Sequence, residues 1–375
     1  LKHILVFIDW YEPAFRAGGP VRSMVNLVAR LREYYRFSIV TSAFDYGSGE
    51  PMPGVPLNSW TSGKNQERIC YQLKGGLFSA LRHIRKEQPD LVYLQGIFSL
   101  RYSLLPLLAA QLSRKTVVLA PRGMLHPTAL NFKGTQKRIF LRVAHVLGLF
   151  RKVRFQAVDD FEAAYIQKVF PRAQVLRATN MAALPNALSP LERNPEEPLQ
   201  LVSVARISPE KNNRFILQLL KEFPHPVNMV FYGAAGNDEA YVSAFRRDLE
   251  QLPPHIAVQW HGFLDPEKLQ PELRKSHWFI MPTLGENFGH AIFEALAAGL
   301  PVMIGDNTPW KNLQEQNAGW DLSPKNPEPW LRMLETAYRM ERERYQTMSA
   351  DAMKLARAQA ASDTAFGQYE QLFKS

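Results

Sequence analysis

Short apolar runs alternate with amphipathic segments along nearly the whole chain, and that alternation leaves few folds open. Residues 3–8, 37–41, 69–73, 91–94 and 117–120 are too short for helices and read as buried strands. Between them, residues 20–32 carry apolar side chains at 21, 24, 25, 28 and 31, a helical spacing, with Pro20 suited to a first turn. Residues 77–87 and 100–112 also read as helices, and 155–159 as a further strand. Strands joined this way by helices must run parallel, with helices on both faces, as a doubly wound α/β sheet. A polar, proline-rich stretch ending at Pro198 then separates two apolar blocks and reads as a domain linker. Beyond it the alternation restarts, with strands at 199–205, 227–232, 256–260, 278–282 and 301–305. Helices are expected at 213–222, 239–251 and 291–298, and they fill 327–375. A chain of 375 residues with 46% hydrophobic content is therefore expected to bury two medium cores.

Ligands of such sheets collect at the carboxyl ends of the strands, so the loops there are the candidate sites. The most informative is the nonapeptide 286–294, which joins the strand at 278–282 to the helix at 291–298. Gly289 falls about where that helix begins, and the free amides and partial positive charge of a helix start suit a phosphate. Glu286 lies on the loop and Glu294 about two turns further on. Two acids so separated cannot serve one atom, so they should grip different parts of an extended ligand such as a sugar nucleotide. After the strand at 199–205, Arg206 and Lys211 can clasp a diphosphate from two sides and stabilise charge on a leaving group; a pair of surface salt bridges is the plainer reading. Gly18 and Gly19 follow the first strand and allow the backbone to come close to a ligand, or simply make a tight turn. Arg122, Gly123 and His126 lie in the loop 121–127, where His126 can either position a sugar hydroxyl or cap the next helix. Asp159 and Asp160 are adjacent acids at a strand end, which point to different faces, so no metal site is expected.

Charge narrows the partners. The net charge of +10 is uneven: Lys and Arg outnumber Asp and Glu by 26 to 11 in residues 1–190, and are outnumbered 19 to 24 in 191–375. A basic half suits nucleic acid, anionic lipid or an anionic substrate, and no nucleic-acid-binding motif supports the first. Residues 133–154 interleave Lys133, Lys137, Arg138, Arg142, Arg151, Lys152 and Arg154 with Ile139, Phe140, Leu141, Val143, Val146, Leu147, Leu149 and Phe150. This reads either as an amphipathic helix that lies on an anionic membrane or as an ordinary domain helix with a solvated basic side. A single cysteine, Cys70, leaves no internal disulfide and fits a reducing compartment. The longest apolar run, 104–112, is too short to span a bilayer and no signal-peptide pattern is seen, so a cytoplasmic protein is expected, peripheral on the inner face of the cytoplasmic membrane if the basic helix binds lipid.

The string 282–301, with Pro282-Thr283 ahead of Glu286-Asn-Phe-Gly and Glu294 eight residues on, resembles the signature of the retaining GT-B glycosyltransferases of family 4. Arg206 and Lys211 are similar to the Arg-x4-Lys element of the same family. Arg122-Gly-Met-Leu-x-Pro and Gly19-Pro-Val-Arg-Ser look like the branch that builds bacterial surface polysaccharides. Thr308-Pro309 stands where most members carry a glycine pair, which departs from the broad pattern but agrees with that branch.

The resemblance implies an α/β fold of the GT-B type, two Rossmann-like doubly wound domains facing a cleft. The expected division is an acceptor-side domain at 1–187, a nucleotide-sugar domain at 188–358, and a helix at 359–375 returning to the first domain. It further implies Glu286, Arg206, Lys211 and His126 as catalytic residues. Donor binding falls to Gly18, Gly19, Arg122, Asn287, Phe288, Gly289, His290, Glu294, Gly262 and Thr308. In these roles Glu294 binds the ribose, Arg206 and Lys211 the diphosphate, Glu286 the donor sugar, the amides of Phe288 and Gly289 the sugar or phosphate, and the loop around Gly262 the base. Gly18 and Gly19 approach once the cleft closes. The activity implied is transfer of a hexose from a UDP- or GDP-sugar to a glycan or lipid-linked acceptor, with retention, without metal or other cofactor and with no nucleic-acid partner. A sugar-nucleotide 2-epimerase on the same fold is the alternative, and a nucleic-acid-binding protein a remote one.

Overall fold

The computed structural model describes residues 1–126, 130, 134–183, 185–361 and 364–374. The chain divides into two compact units, residues 1–183 with 362–375, and 184–361.

The first unit begins with β1 (Lys2–Phe7), α1 (Gly19–Leu31), β2 (Tyr35–Ser42), β3 (Trp60–Ser62), β4 (Arg68–Gln72), α2 (Leu77–Glu87) and β5 (Leu91–Gln95). It continues with α3 (Leu105–Leu112), β6 (Thr116–Ala120), α4 (Gly134–Val146), β7 (Val153–Ala157), α5 (Asp160–Val169) and β8 (Gln174–Arg177). The eight strands lie in the order β3-β4-β2-β1-β5-β6-β7-β8. All neighbours run parallel except β3 on β4, where Trp60, Thr61 and Ser62 pair antiparallel with Cys70, Ile69 and Arg68. The sheet is therefore mixed: β3 turns back on β4 and covers an edge that would otherwise present unpaired backbone groups. One face of the sheet packs Met24, Leu27, Val28 and Leu31 of α1. The other packs residues of α2, α3, α4 and α5 around Leu5, Phe7, Val92, Leu94 and Phe155.

The second unit holds β9 (Leu199–Val204), α6 (Asn213–Glu222), β10 (Val227–Tyr232), α7 (Glu239–Glu250), β11 (Ile256–Trp260), α8 (Pro266–Leu273), β12 (Trp278–Met281) and α9 (His290–Ala297). It ends with β13 (Val302–Gly305), β14 (Gly319–Leu322), α10 (Pro327–Tyr338) and α11 (Arg342–Ala361). The order β11-β10-β9-β12-β13-β14 is wholly parallel, with Phe279 of β12 beside Val202 of β9 and Val302 of β13. This is the doubly wound Rossmann order, which reverses direction between β9 and β12. Two of these elements, α8 and β14, were not expected from the sequence. α8 contains Pro271, which breaks the helical pattern, and β14 is only four residues long.

The last helix, α12 (Thr364–Phe373), belongs to the first unit, where Tyr369, Leu372 and Phe373 are buried on the α1 face of the sheet. Gln368 accepts from the amide and hydroxyl of Thr179 at 3.0 and 2.7 Å. Residues 362, 363 and 375 of the expected 359–375 helix lie outside the described residues.

The basic segment 133–154 is not one helix. α4 ends at Val146, a turn follows, and Arg154 sits in β7, where it donates to the carbonyls of Leu372 and Lys374 at the C-terminal end of α12. A cation there meets the negative end of the helix dipole, so Arg154 is structural. Lys137 lies over the ring of Phe98 at 5.1 Å, and Lys133 lies outside the described residues. Arg138, Arg142, Arg151 and Lys152 remain as the exposed cations of the segment.

Candidate active site

The switch point of the second unit's sheet, between β9 and β12, brings two loops side by side: 205–211 after β9 and 282–289 after β12. They are stitched by main-chain and hydroxyl contacts. The carbonyl of Glu210 accepts from the amide of Leu284 at 2.9 Å and lies 3.1 Å from the hydroxyl of Thr283. A third loop joins them from β13, where the amide of Glu286 donates to Asn307 at 3.0 Å. The result is a three-loop floor at the edge where doubly wound sheets bind ligands.

Lys211 stands on a short 3-10 turn (Pro209–Lys211), and its ammonium forms a close ion pair with Oε1 of Glu286. Both side chains are partly shielded, so the pair is better protected from screening than a surface bridge. Arg206 pairs more loosely with Glu210, 3.5 Å away, and is half-exposed. The salt-bridge reading of Arg206 and Lys211 is thus realised in the protein, but with partners inside the loop cluster, and both cations stay at the carboxyl edge.

Gly289 is the N-cap of α9 in a left-handed conformation (φ 76°), and a β-carbon there would lie 2.8 Å from Cδ1 of Ile292. The left-handed backbone is what favours glycine, since the Ile292 methyl at the end of its side chain can move. No side chain caps this helix start. The Phe288 ring is buried against Phe293, Trp310 and His290, and its carbonyl accepts from the Trp310 indole at 2.7 Å. Only main-chain atoms of Phe288 are therefore offered at the surface. Asn287 is exposed, while His290 and Glu294 are half-buried on α9. Thr308 is buried, and its hydroxyl lies 3.2 Å from both the amide and the carbonyl of Trp310. That hydroxyl holds a turn, so Thr308 can meet a ligand only through its backbone. Gly262 follows β11, two strands out from β9, and its carbonyl accepts from Gly233 at 2.5 Å.

The remaining candidates lie in the first unit, whose own switch point falls between β1 and β5. Gly18 is the N-cap of α1, and Gly19 its first residue. Arg122 has its guanidinium engaged: Nε donates to Gln95 at 2.7 Å, one terminal nitrogen to Asn180, and the other to the Tyr93 hydroxyl at 3.4 Å. Tyr93 in turn donates to Gln156, whose amide donates to the hydroxyl of Tyr369 on α12 at 2.9 Å. Arg122 therefore braces its loop. Glu162 holds the same loop, accepting from the amides of Gly123 and Val158 at 2.6 and 2.8 Å, and burial pushes its carboxyl up. His126 is exposed, with its ring edge-on to Tyr165 at 5.0 Å, and its carbonyl accepts from Leu130. Pro127 of that loop lies outside the described residues. Asp159 caps α5 through the amide of Glu162, and Asp160 pairs with Arg177 at 3.0 Å, so both acids serve the fold.

Sequence reasoning passed over Asp9, which sits just past β1 at this switch point. One of its oxygens accepts from Ser99, in the loop after β5, at 2.7 Å, and burial raises its carboxyl against the lowering effect of that bond. Trp10 beside it stands edge-to-face with Tyr46, 5.1 Å apart. A signal was available: Asp9 is the first carboxylate after the first strand. Its distinction from any other loop acid lies in Ser99, 90 positions away in sequence.

Residues 188–354 match the family of glycosyl transferases group 1, a span wholly inside the second unit. Over 148 residues, 38% of this chain, the sequence is 27% identical to the sulfoquinovosyl transferase SQD2 of Arabidopsis thaliana. The chain spans about a quarter of the length of the curated relatives it matches. In structure it is similar to sucrose-phosphate synthase from Thermosynechococcus elongatus, with a TM-score of 0.71 at 14% identity over 100% of this chain and 98% of that one. It is also similar to Anabaena HepE in complex with UDP and glucose, with a TM-score of 0.70 at 15% identity over 99% of both chains. The chain has the GT-B fold.

Proposed function

We propose that this chain is a retaining GT-B glycosyltransferase of family 4, moving a hexose from a UDP- or GDP-sugar to a glycan or lipid-linked acceptor in bacterial surface polysaccharide or lipopolysaccharide synthesis. The observation that carries the reading is the switch point of the second unit, where Arg206, Lys211, Glu286 and the uncapped start of α9 converge on one loop cluster. Two cations and the amides of a helix start suit a diphosphate, and the carboxylates suit hydroxyls. The match to glycosyl transferases group 1 over this unit supports it, as does the likeness to a fold seen with UDP and glucose bound.

In this reading a diphosphate draws Lys211 from Glu286, because a doubly charged group outcompetes one carboxylate. Glu286 is then freed to accept from hydroxyls of the donor sugar, and Glu294, further along α9, binds the ribose. As the bond from the anomeric carbon to phosphate breaks, Arg206 and Lys211 stabilise the charge left on the diphosphate. The acceptor hydroxyl attacks from the same face, and its proton passes to the leaving phosphate oxygen, so configuration is retained. Each step uses only groups of the chain and its substrates, and no metal is invoked. In the first unit Asp9 orients an acceptor hydroxyl and Trp10 flanks a sugar ring, Gly18, Gly19 and His126 keep the donor-side roles expected of them, and Arg122 and Glu162 brace the loop that bears His126.

The membrane part of the proposal rests on α4. Ile139, Val143, Val146 and Leu147 are all exposed and fall on one stripe at helical spacing, with Arg138 and Arg142 nearby. Leu108 and Leu112 of α3 are exposed as well. Among the described residues no helix is long and apolar enough to cross a membrane. An apolar stripe with a basic border fits a helix lying on the anionic inner face of a cytoplasmic membrane.

The test is thermal stabilisation across UDP-, GDP-, ADP- and dTDP-sugars, with Glu294→Ala alongside. A ligand at ~100 times its dissociation constant adds roughly 2.7 kcal/mol. A melting shift with one nucleotide family, abolished in the variant, is expected. No shift with any nucleotide sugar, with or without lipid, would sink the reading, and free sugar released without an acceptor would point to a 2-epimerase.

A further inference from the structure

The loop between β1 and α1, residues 8–18, carries a second acid that the transfer reading does not use. Glu12 is 9% exposed and lies against Glu67, which is 1% exposed and stands at the turn between β3 and β4. Two buried carboxylates side by side repel each other strongly, and a proton held between them relieves that repulsion. The surroundings decide which acid carries it. Glu67 accepts from the Tyr11 hydroxyl at 2.8 Å on one oxygen and from the Asn65 amide at 2.8 Å on the other. The turn is built around this carboxylate, since a β-carbon on Gly63 would lie 2.4 Å from Cδ of Glu67. Oε1 of Glu12, by contrast, is buried with no hydrogen-bond partner among the described residues. Glu67 is therefore the carboxylate and Glu12 the acid.

We propose that Glu12 and Glu67 share one proton and act as a pH-sensitive latch, fastening the loop 8–18 to the β3–β4 turn when protonated and loosening it when the proton leaves. The other groups facing Glu12 are Tyr11 and Tyr71, both held protonated by burial, and Lys64, whose charge opposes the effect of Glu67. Tyr71 also donates to the Glu12 carbonyl at 2.6 Å, so the loop keeps a main-chain tether when the latch opens. Burial first, and then the charge of Glu67, lift Glu12 from 4.5 to about 7. A raised carboxyl binds a proton in the folded state that the opened state has released. The latch thus contributes fully below pH ~4.5, weakens as pH rises, and is lost above about 7. The latch stands whether or not the chain transfers sugars. Only its consequence, that alkaline pH frees the loop bearing Asp9 and Gly18, rests on the acceptor-side reading above.

Hydrogen exchange of the full chain at pH 6 and pH 8, corrected for intrinsic rates, tests it. With Glu12 at about 7 in the latched state and near 4.5 in the opened one, opening of residues 8–18 and 60–67 should be about tenfold greater at pH 8. Glu12→Gln, which keeps the shape and supplies a permanent donor, should remove that difference and flatten the fall in melting temperature between these pH values. Glu67→Gln should instead lower stability at both, because its amide cannot accept from both Tyr11 and Asn65. Exchange in the wild type that does not change with pH overturns the latch by itself, even if a variant fails to fold. So does a pH response that survives in Glu12→Gln, or protection restored at pH 8 by magnesium or calcium, which would make the pair a cation site. Nucleotide-sugar binding measured on the same samples separates this outcome from failure of the transferase reading.

Discussion

At the scale of single residues, the candidate site is a set of charges that are already paired before any ligand arrives. Lys211 is held by Glu286 and Arg206 by Glu210, so the loops are ordered but each cation can exchange its partner for a phosphate. On the proposed reading, replacing Lys211 by Met removes a diphosphate contact, and it leaves Glu286 half-buried without its cation. Transfer is expected to fall by about 10²–10³-fold, the usual cost of one donor to developing negative charge. The product formed by the residual activity should keep the donor's anomeric configuration. Steady-state rates with a responding nucleotide sugar, with NMR of the product, would check both; full activity in the variant would remove Lys211 from the machinery. Of this arrangement, the glycine at 289 and the residue types around it were legible, because a strand-loop-helix pattern is local. The partner of each charge was not: Lys211 and Glu286 are 75 positions apart and meet only because β9 and β12 are neighbours.

At the scale of elements, helix ends explain several residues that the sequence left without a role. Arg193, in the segment leading into β9, is 1% exposed and donates to the carbonyls of Ala337, Tyr338 and Met340 where α10 ends. Carbonyls at a helix end lack the full set of helical partners, although Ala337 also accepts from the Met340 amide at 3.4 Å, and the dipole there favours a positive charge. Arg193→Met keeps an unbranched stem and removes the donors to the carbonyls of Ala337, Tyr338 and Met340. It is expected to lower the stability of the second unit by ~2–4 kcal/mol. A urea midpoint indistinguishable from wild type would show that the carbonyls find other donors. Arg154 performs the same service for α12, so a residue counted with a basic surface helix is a buried-end cap. Composition could not make that distinction, since both roles need the same cation. Helix α4 itself was recognisable from its periodicity but not its end at Val146, because the apolar and basic residues continue through the turn.

At the scale of the whole molecule, the uneven charge is a property of surface and not of fold. The exposed Arg138, Arg142, Arg151 and Lys152 border an apolar stripe on which Val146 and Leu147 are 83% and 74% exposed. With ~1 kcal/mol from each cation near an anionic surface, the chain should sediment with phosphatidylglycerol vesicles and not with phosphatidylcholine. Binding should weaken with salt and be lost in Val146→Asp with Leu147→Asp. Equal binding to both vesicles, or none, would remove the membrane from the proposal. The sequence by itself determined the fold class and the two-fold repetition of strand and helix, and it singled out the loops at the carboxyl ends of the strands. All of these follow from periods of two to four residues and from glycine at helix starts, which any local stretch expresses. Only the tertiary structure decided that β3 turns back on β4, that Arg122 braces a loop, that Asp9 meets Ser99, and that Glu12 lies against Glu67. Those outcomes depend on which strands become neighbours and on how deeply each side chain is buried. Both are set by packing across distances in the chain that no local pattern records.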